Sequence, residues 1–392
     1  MKHLSVRTLR STDELRALAP TWSELCTRGA NELAQHPLWQ LNWWDTFGGS
    51  DRRRPHVLAA YDGARLVGLA PLLRRPTRYR RLLPIRRVEL IGSGEDESDE
   101  ICSDYNGLLC EPGYEDRVID ALINELAGRS RWEHLLLHGL DGSSPLVAQI
   151  ERSLVANGML PERREMTICP YITLPKTYDE YIEHLPSKRR KFARKCVRDY
   201  EKWAPDHHLV VARNEADLVE GQRVLQSLHG TRWAEAGESG VFVSGKFGSF
   251  HQRLMRELLA RDALQLAWLV GQGRPLAVVY NFIWKGRVHS YQSGRAVDLP
   301  NSIRVGIVSH LKAIELSIAS GYTEYDFLAG RQRYKLELST VSRPLVAIQA
   351  WRRPWMRLAQ LAVDRGIEQA RELRQRWRPE RVVDTPDEED ED

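Results

Sequence analysis

The stretch Tyr325-Asp326-Phe327-Leu328-Ala329-Gly330-Arg331-Gln332-Arg333-Tyr334-Lys335 carries the residue types best suited to chemistry in this chain. It reads as a short buried strand, a glycine turn and an aromatic-lysine pair. A lysine beside a strand end binds an anionic group or stabilises charge developing on a carbonyl oxygen, and a tyrosine hydroxyl can protonate a departing thiolate. Lys335, Tyr334 and Asp326 are therefore the candidate catalytic residues. The competing reading is structural, with Tyr334 packed and Lys335 neutralising Asp326.

A second constellation is the basic run Ser187-Lys188-Arg189-Arg190-Lys191-Phe192-Ala193-Arg194-Lys195-Cys196-Val197-Arg198. Phe192, Cys196, Tyr200 and Trp203 fall at helical spacing and form an apolar stripe, leaving Arg190, Arg194 and their neighbours outward. Uncompensated charges packed on a few turns gain from an anion, so this face is expected to meet a polyphosphate or RNA, against the simpler reading of a solvated face.

Several chemistries are excluded. The five cysteines include no Cys-x-x-Cys pair, which argues against a disulfide framework or a zinc site. His207-His208 and the pair His134 and His138 lack a carboxylate or cysteine partner at metal-ligand spacing, so no metal is expected. Gly92-Ser93-Gly94 and Gly271-x-Gly273 are not dinucleotide fingerprints, and there is no Walker loop or nucleophile elbow.

A chain of 392 residues exceeds the size of one ordinary core, so two domains are expected. With 42% hydrophobic and 28% charged residues, no membrane-length apolar run and no apolar core in the first residues, the expected location is cytoplasmic. The formal charge of +4 hides a tail from Asp384 to Asp392 with seven acids and no base. Without that tail the chain carries +11, which suits anionic partners.

The elements that must position these residues follow from pattern. Strand 3–9 leads to Ser11, which with Glu14 forms a capping box for the next helix. An aromatic helix spans 36–48, and strands 56–61 and 65–73 flank Asp62-Gly63 as a hairpin. Strand 105–109, helix 114–127 and strand 134–138 complete the first half. The second half has strand 171–174, helix 178–203, helices 216–229 and 250–260, and a hairpin of 264–270 with 276–284. Strand 288–294, helix 303–319 and the closing strand 324–328 end it.

In order along the chain, His36-Pro37-Leu38-Trp39, Gly68-Leu69-Ala70-Pro71-Leu72, Cys169-Pro170-Tyr171, the basic helix, and Asp326-Phe327, Gly330 and Tyr334-Lys335 resemble the BioF2-like, CelD-type acyltransferases. That branch of the GNAT superfamily lies close to the FemAB aminoacyltransferases. The resemblance covers residues 4–353. It departs where Arg331 and Gln332 replace an acidic pair, and where Arg304 and Val305 replace Ser-Pro before Gly306.

The resemblance implies an α/β (α+β) fold of tandem GNAT-like halves, each a mixed, mostly antiparallel sheet flanked by helices. Residues 1–165 would form the first half and 166–353 the second. Beyond that region, residue pattern and charge alone give a basic helix over 354–380 and an acidic disordered tail over 381–392. The resemblance implies an enzyme with no permanently bound cofactor, using acetyl-CoA or another acyl-CoA as co-substrate. The acceptor would be an amine or hydroxyl on a small molecule or glycan, a cell-envelope or polysaccharide precursor. The helix start at Ser302, Arg304, Val305 and Gly306 would hold the donor pyrophosphate on its free amides. Lys335 looks equivalent to a lysine implicated in FemAB-like reactions. Tyr291, Gln292, Arg232 and Trp233 would line the acceptor cleft, with Arg190 and Arg194 on substrate phosphates. The alternatives are aminoacyl-tRNA as donor and a silent scaffold that kept the fold; no DNA partner is expected.

Beyond this region, Trp355, Leu358, Ala362, Leu373 and Trp377 fall near one helical face, and Pro354 suits a helix start. Arg352, Arg353, Arg357, Arg371, Arg374, Arg376 and Arg378 accompany them. Peripheral membrane contact through 354–378 is one expectation. Docking of that stripe on the enzyme's own core or a second subunit is the other.

Overall fold

The computed structural model describes residues 3–29, 32–129, 132–235 and 244–376. Trp377, Arg378 and the acidic tail lie outside the described residues. The first half runs β1 (Ser5–Leu9), α1 (Thr12–Arg28), α2 (Pro37–Phe47), β2 (Arg54–Pro55), β3 (Val57–Asp62), β4 (Arg65–Ala70), β5 (Leu72–Tyr79), β6 (Leu83–Leu90), β7 (Leu109–Cys110), α3 (Glu115–Arg129), β8 (His134–Asp141) and α4 (Pro145–Ala156). The second runs β9 (Leu160–Thr173), α5 (Tyr178–His184), α6 (Ser187–Trp203), β10 (His208–Val211), α7 (Glu215–Glu235), α8 (Gly245–Leu259), β11 (Leu264–Gly271), β12 (Arg274–Trp284), β13 (Arg287–Arg295), α9 (Val305–Ala319), β14 (Glu324–Asp326), α10 (Arg333–Leu338), β15 (Val341–Trp351) and α11 (Pro354–Arg376).

Local signals explain many of these bounds. Ser11 caps α1 and Glu14 reaches back to the cap amide, so both halves of the capping box form. Leu15, Leu18, Trp22 and Leu25 then bury one stripe of that helix. Gly63 takes φ +62 in the β3–β4 turn, where a β-carbon would be strained. The helix expected over 178–203 is two helices, because Pro186 removes an amide and sets a corner between α5 and α6.

The strands form a four-stranded sheet, β1-β3-β4-β7, and an eleven-stranded sheet, β10-β11-β12-β13-β14-β9-β15-β8-β6-β5-β2. β15 lies between β9 and β8, antiparallel to both, and buries Leu345, Val346, Ile348 and Ala350. A strand from the end of the chain thus completes the sheet of the first half. The expected boundary at 165/166 falls inside β9, whose length both halves share. Helix packing also joins them: Trp39 of α2 meets Phe250 of α8 with ring centroids 5.1 Å apart.

Some expectations need correction. The strand expected over 105–109 is only Leu109–Cys110, since Tyr105 adopts a left-handed φ of 60° that ends extended backbone. The closing strand stops at Asp326, because Leu328 has φ 56°. On α11 it is Met356 and Gln360 that are buried, with Val363 against Tyr79, Ile85 and Trp351. Trp355 and Leu358 of the expected docking stripe face outward, 57% and 66% exposed. Among the described residues no helix is long and apolar enough to cross a membrane.

Candidate active site

β13 and β14 run parallel but pair at only three positions, Arg287 with Glu324, Val288 with Tyr325 and His289 with Asp326. Beyond them β14 ends and β13 continues. On its other edge β13 pairs Gln292 with Tyr280 and Ser290 with Asn281, so Tyr291 is an extra residue, a bulge. A bulge frees one peptide unit from the ladder and increases local twist. Together these features open the sheet beside the start of α9.

The opening is a cleft of about 310 Å³. Its walls are the end of β13 with Arg295, the turn at Asn301 to Arg304, the first turn of α9 with Val305 and Gly306, and two side chains from further along, His310 and Tyr334. Arg304 is the N-cap residue and no side chain caps the helix start, which leaves the early amides of α9 directed at the cleft end. A β-carbon on Gly306 would sit 3.3 Å from Arg295 Cδ, so glycine keeps room between helix and arginine. Arg295, Arg304 and the helix dipole place positive potential at one end, where a phosphate would be favoured.

Lys335 faces away from this cleft. Its ammonium is buried and donates to the carbonyl of Ala329 at 2.6 Å and, more weakly, to that of Leu328 at 3.4 Å. The same loop is held from its amide side: Leu328 N donates to Asp326 Oδ1 at 2.6 Å, and Ala329 N to Asp104 Oδ2 at 2.8 Å. Asp326 also accepts from the Tyr105 hydroxyl at 2.7 Å, and Arg343 lies 3.7 Å from it while packing on the Tyr171 ring. Burial lowers the Lys335 pKa, opposed first by Asp104; burial raises Asp104 to about 6, opposed by the Ala329 amide and by Lys335. Three non-glycine residues with positive φ, Cys102, Tyr105 and Leu328, adjoin this latch. Such backbone is costly and persists only where neighbours hold it.

The structure therefore brings Arg304, Val305, Gly306 and Tyr334 into one cleft, and gathers Lys335 with Asp326 in the latch behind it. Ser302 is in the turn before α9, neither its cap nor a lining residue. Tyr291 is anchored in the core, donating to Ile101 O at 2.5 Å and lying 3.0 Å from His251 Nε2, while Gln292 is half-buried next to it. Arg190 and Arg194 both pair with Glu183 of α5, and Lys195 and Arg198 with Asp199, so much of the α6 charge is compensated, contrary to expectation. Arg232 and Trp233 are on the last turn of α7; their side chains lie outside the described ones.

The sequence reading missed Arg295, His310 and Asp104. His310 follows Gly306 by four residues, so helix periodicity alone places both on one face. Asp104 gave no local signal, as only the tertiary fold carries it to Ala329.

Residues 187–336 match the family model described as acetyltransferase (GNAT) domain. The second half of this chain is thus similar to a GNAT acetyltransferase domain over residues 187–336. The domain begins at α6 and ends within α10, so it contains all the cleft residues. The whole chain is similar in fold to the crystal structure of FemX, with 11% identity, TM-score 0.60, and 90% of this chain and 100% of that one covered. It is also similar to the structure of L-PGS from Bacillus licheniformis, with 12% identity, TM-score 0.51, and 92% and 97% covered. The C-terminal domain of a putative lysylphosphatidylglycerol synthetase from Agrobacterium fabrum aligns at 9% identity and TM-score 0.51, with 89% and 95% covered. No curated protein matches the sequence. The fold is mixed α/β, and the match over residues 187–336 supports an acyltransferase.

Proposed function

We propose that this protein transfers an acyl group from a CoA thioester to an amine or hydroxyl of a cell-envelope or polysaccharide precursor, with the donor in the cleft at the start of α9. The observation that carries the reading is the convergence of uncapped α9 amides, Arg295, Arg304 and Gly306 on one end of that cleft and Tyr334 at its side. Pyrophosphate would sit on the amides and arginines, and the pantetheine arm would run between the splayed strands toward the bulge.

Attack by the acceptor on the thioester carbonyl forms the new acyl–nitrogen or acyl–oxygen bond and breaks the acyl–sulfur bond. The acceptor's proton leaves to solvent, and the Tyr334 hydroxyl gives one to the departing thiolate. Positioning supplies the rest: Lys335, Asp104 and Asp326 fix the loop that leads into α10 and so fix Tyr334. Calorimetry with CoA and acetyl-CoA, followed by transfer assays with labelled acyl-CoAs, tests this. No CoA binding at millimolar concentration would remove the donor assignment.

A second reading has aminoacyl-tRNA as donor. It is favoured by Lys188 and Lys191, exposed on α6 with no ion pair among the described residues. Gel shift with tRNA over a salt series separates the two, since phosphate contacts give steep salt dependence.

A further inference from the structure

The β5–β6 turn carries two features that its place in the sheet does not require. Leu82 N bonds back to Tyr79 O at 3.0 Å, closing a β-turn whose central positions, Arg80 and Arg81, have φ 50° and 62°, in a loop of three residues because Tyr79 pairs with Leu83. Such turns favour Asn-Gly, because both central residues must be left-handed. Here two arginines take that strain, and Leu82 beside them is 59% exposed. Arg78 and Arg81 are exposed and form no ion pair among the described residues.

This tip is tied to α11. Tyr79 donates to Asp364 at 3.0 Å, and Arg80 pairs with the same carboxylate at 3.3 Å. The face of α11 turned away from the protein shows Trp355, Leu358, Ala362 and Arg365, at the spacing of one helical stripe. Between the hairpin stem and the start of α11 lies an open groove of about 920 Å³ whose rim includes Arg353 and Trp355.

We propose that the β5–β6 tip and the outer face of α11 together dock on an anionic membrane surface. Leu82, Trp355 and Leu358 would enter the interface, and Arg78, Arg81, Arg353 and Arg365 would meet lipid phosphates. Charge selects this occupant over a second copy of the chain. A two-fold self-interface would place the same arginines against each other, whereas an anionic bilayer neutralises them all. The inference needs no assumption about donor or acceptor.

The test is co-sedimentation of the full chain with vesicles of phosphatidylcholine alone and of phosphatidylcholine mixed with phosphatidylglycerol. The natural chain should partition onto the anionic vesicles only, less so as salt rises. Arg78→Gln with Arg81→Gln should weaken partitioning by about fivefold per arginine and flatten its salt dependence. Trp355→Ala with Leu358→Ala should weaken it about tenfold while keeping the salt dependence. Melting temperature and CoA affinity of both variants should be unchanged, which separates this proposal from the donor assignment. The proposal is overturned if the natural chain stays in the supernatant at low salt or the variants sediment as it does. It is also overturned if Trp355→Ala with Leu358→Ala dissociates a dimer without altering sedimentation.

Discussion

Tyr334 lies nearly flat against His310, with ring centroids 4.9 Å apart and planes 19° from parallel. The stack joins α10 to α9 across the cleft, and His310 is itself 3.3 Å from the Tyr325 hydroxyl. Tyr334→Phe keeps the stack and removes only the hydroxyl. It should lower turnover by about 10² at unchanged melting temperature, the scale of losing one general acid. Single-turnover kinetics checks this, and unaltered turnover would remove Tyr334 from the reaction.

Lys335→Met should behave differently. It leaves the carbonyls of Leu328 and Ala329 without their buried donor, at a cost of about 1 to 3 kcal/mol. Melting temperature should therefore fall together with turnover. Lost activity with unchanged stability would instead place Lys335 at the reacting atoms.

The contrast between these neighbours shows what the sequence could and could not reveal. The elements within residues 187–336 were legible because β11, β12 and α9 are long apolar runs bounded by sharp turns. The start of α9 was legible because Arg304 precedes, and Gly306 lies in the first turn of, a long apolar helix. The β5–β6 hairpin was not, since its arginines mask alternation and its turn lacks the usual Asn-Gly. Nor was β15: its pairing with β8 depends on contacts some two hundred residues apart. Tyr334 and Lys335 were adjacent in sequence but point to different surroundings, which only the short helix α10 decides.

Glu95 provides a test of the loop that reaches the latch. Burial raises its pKa from 4.5 to about 7, against hydrogen bonds from Ile101 N and Trp43 Nε1. A carboxyl with a raised folded-state pKa stabilises fully below its unfolded value and loses that contribution as pH rises through the folded one. The loss should therefore develop between pH 4.5 and about 7 and amount to roughly 3 kcal/mol at most. Glu95→Gln should flatten melting temperature against pH across that window. A profile identical to the natural chain's would show that Glu95 titrates elsewhere.

The shared sheet predicts cooperativity. Ile348 on β15 is fully buried, and Ile348→Ala should cost about 2 to 5 kcal/mol. Because β15 bridges β8 and β9, calorimetry should show one transition moving down as a unit. Two separated transitions, with only one displaced, would contradict the bridging role.

The central claim is that the α9 start holds the donor, and calorimetric titration of CoA into the natural chain and Arg304→Gln tests it most directly. Arg304 lines the cleft and forms no ion pair among the described residues, so its loss should leave the fold intact. The account predicts binding by the natural chain and an affinity about tenfold or more weaker in the variant, the worth of one hydrogen bond to a charged group, with reduced salt dependence. Equal affinity in the two proteins, or no binding to either, would contradict it.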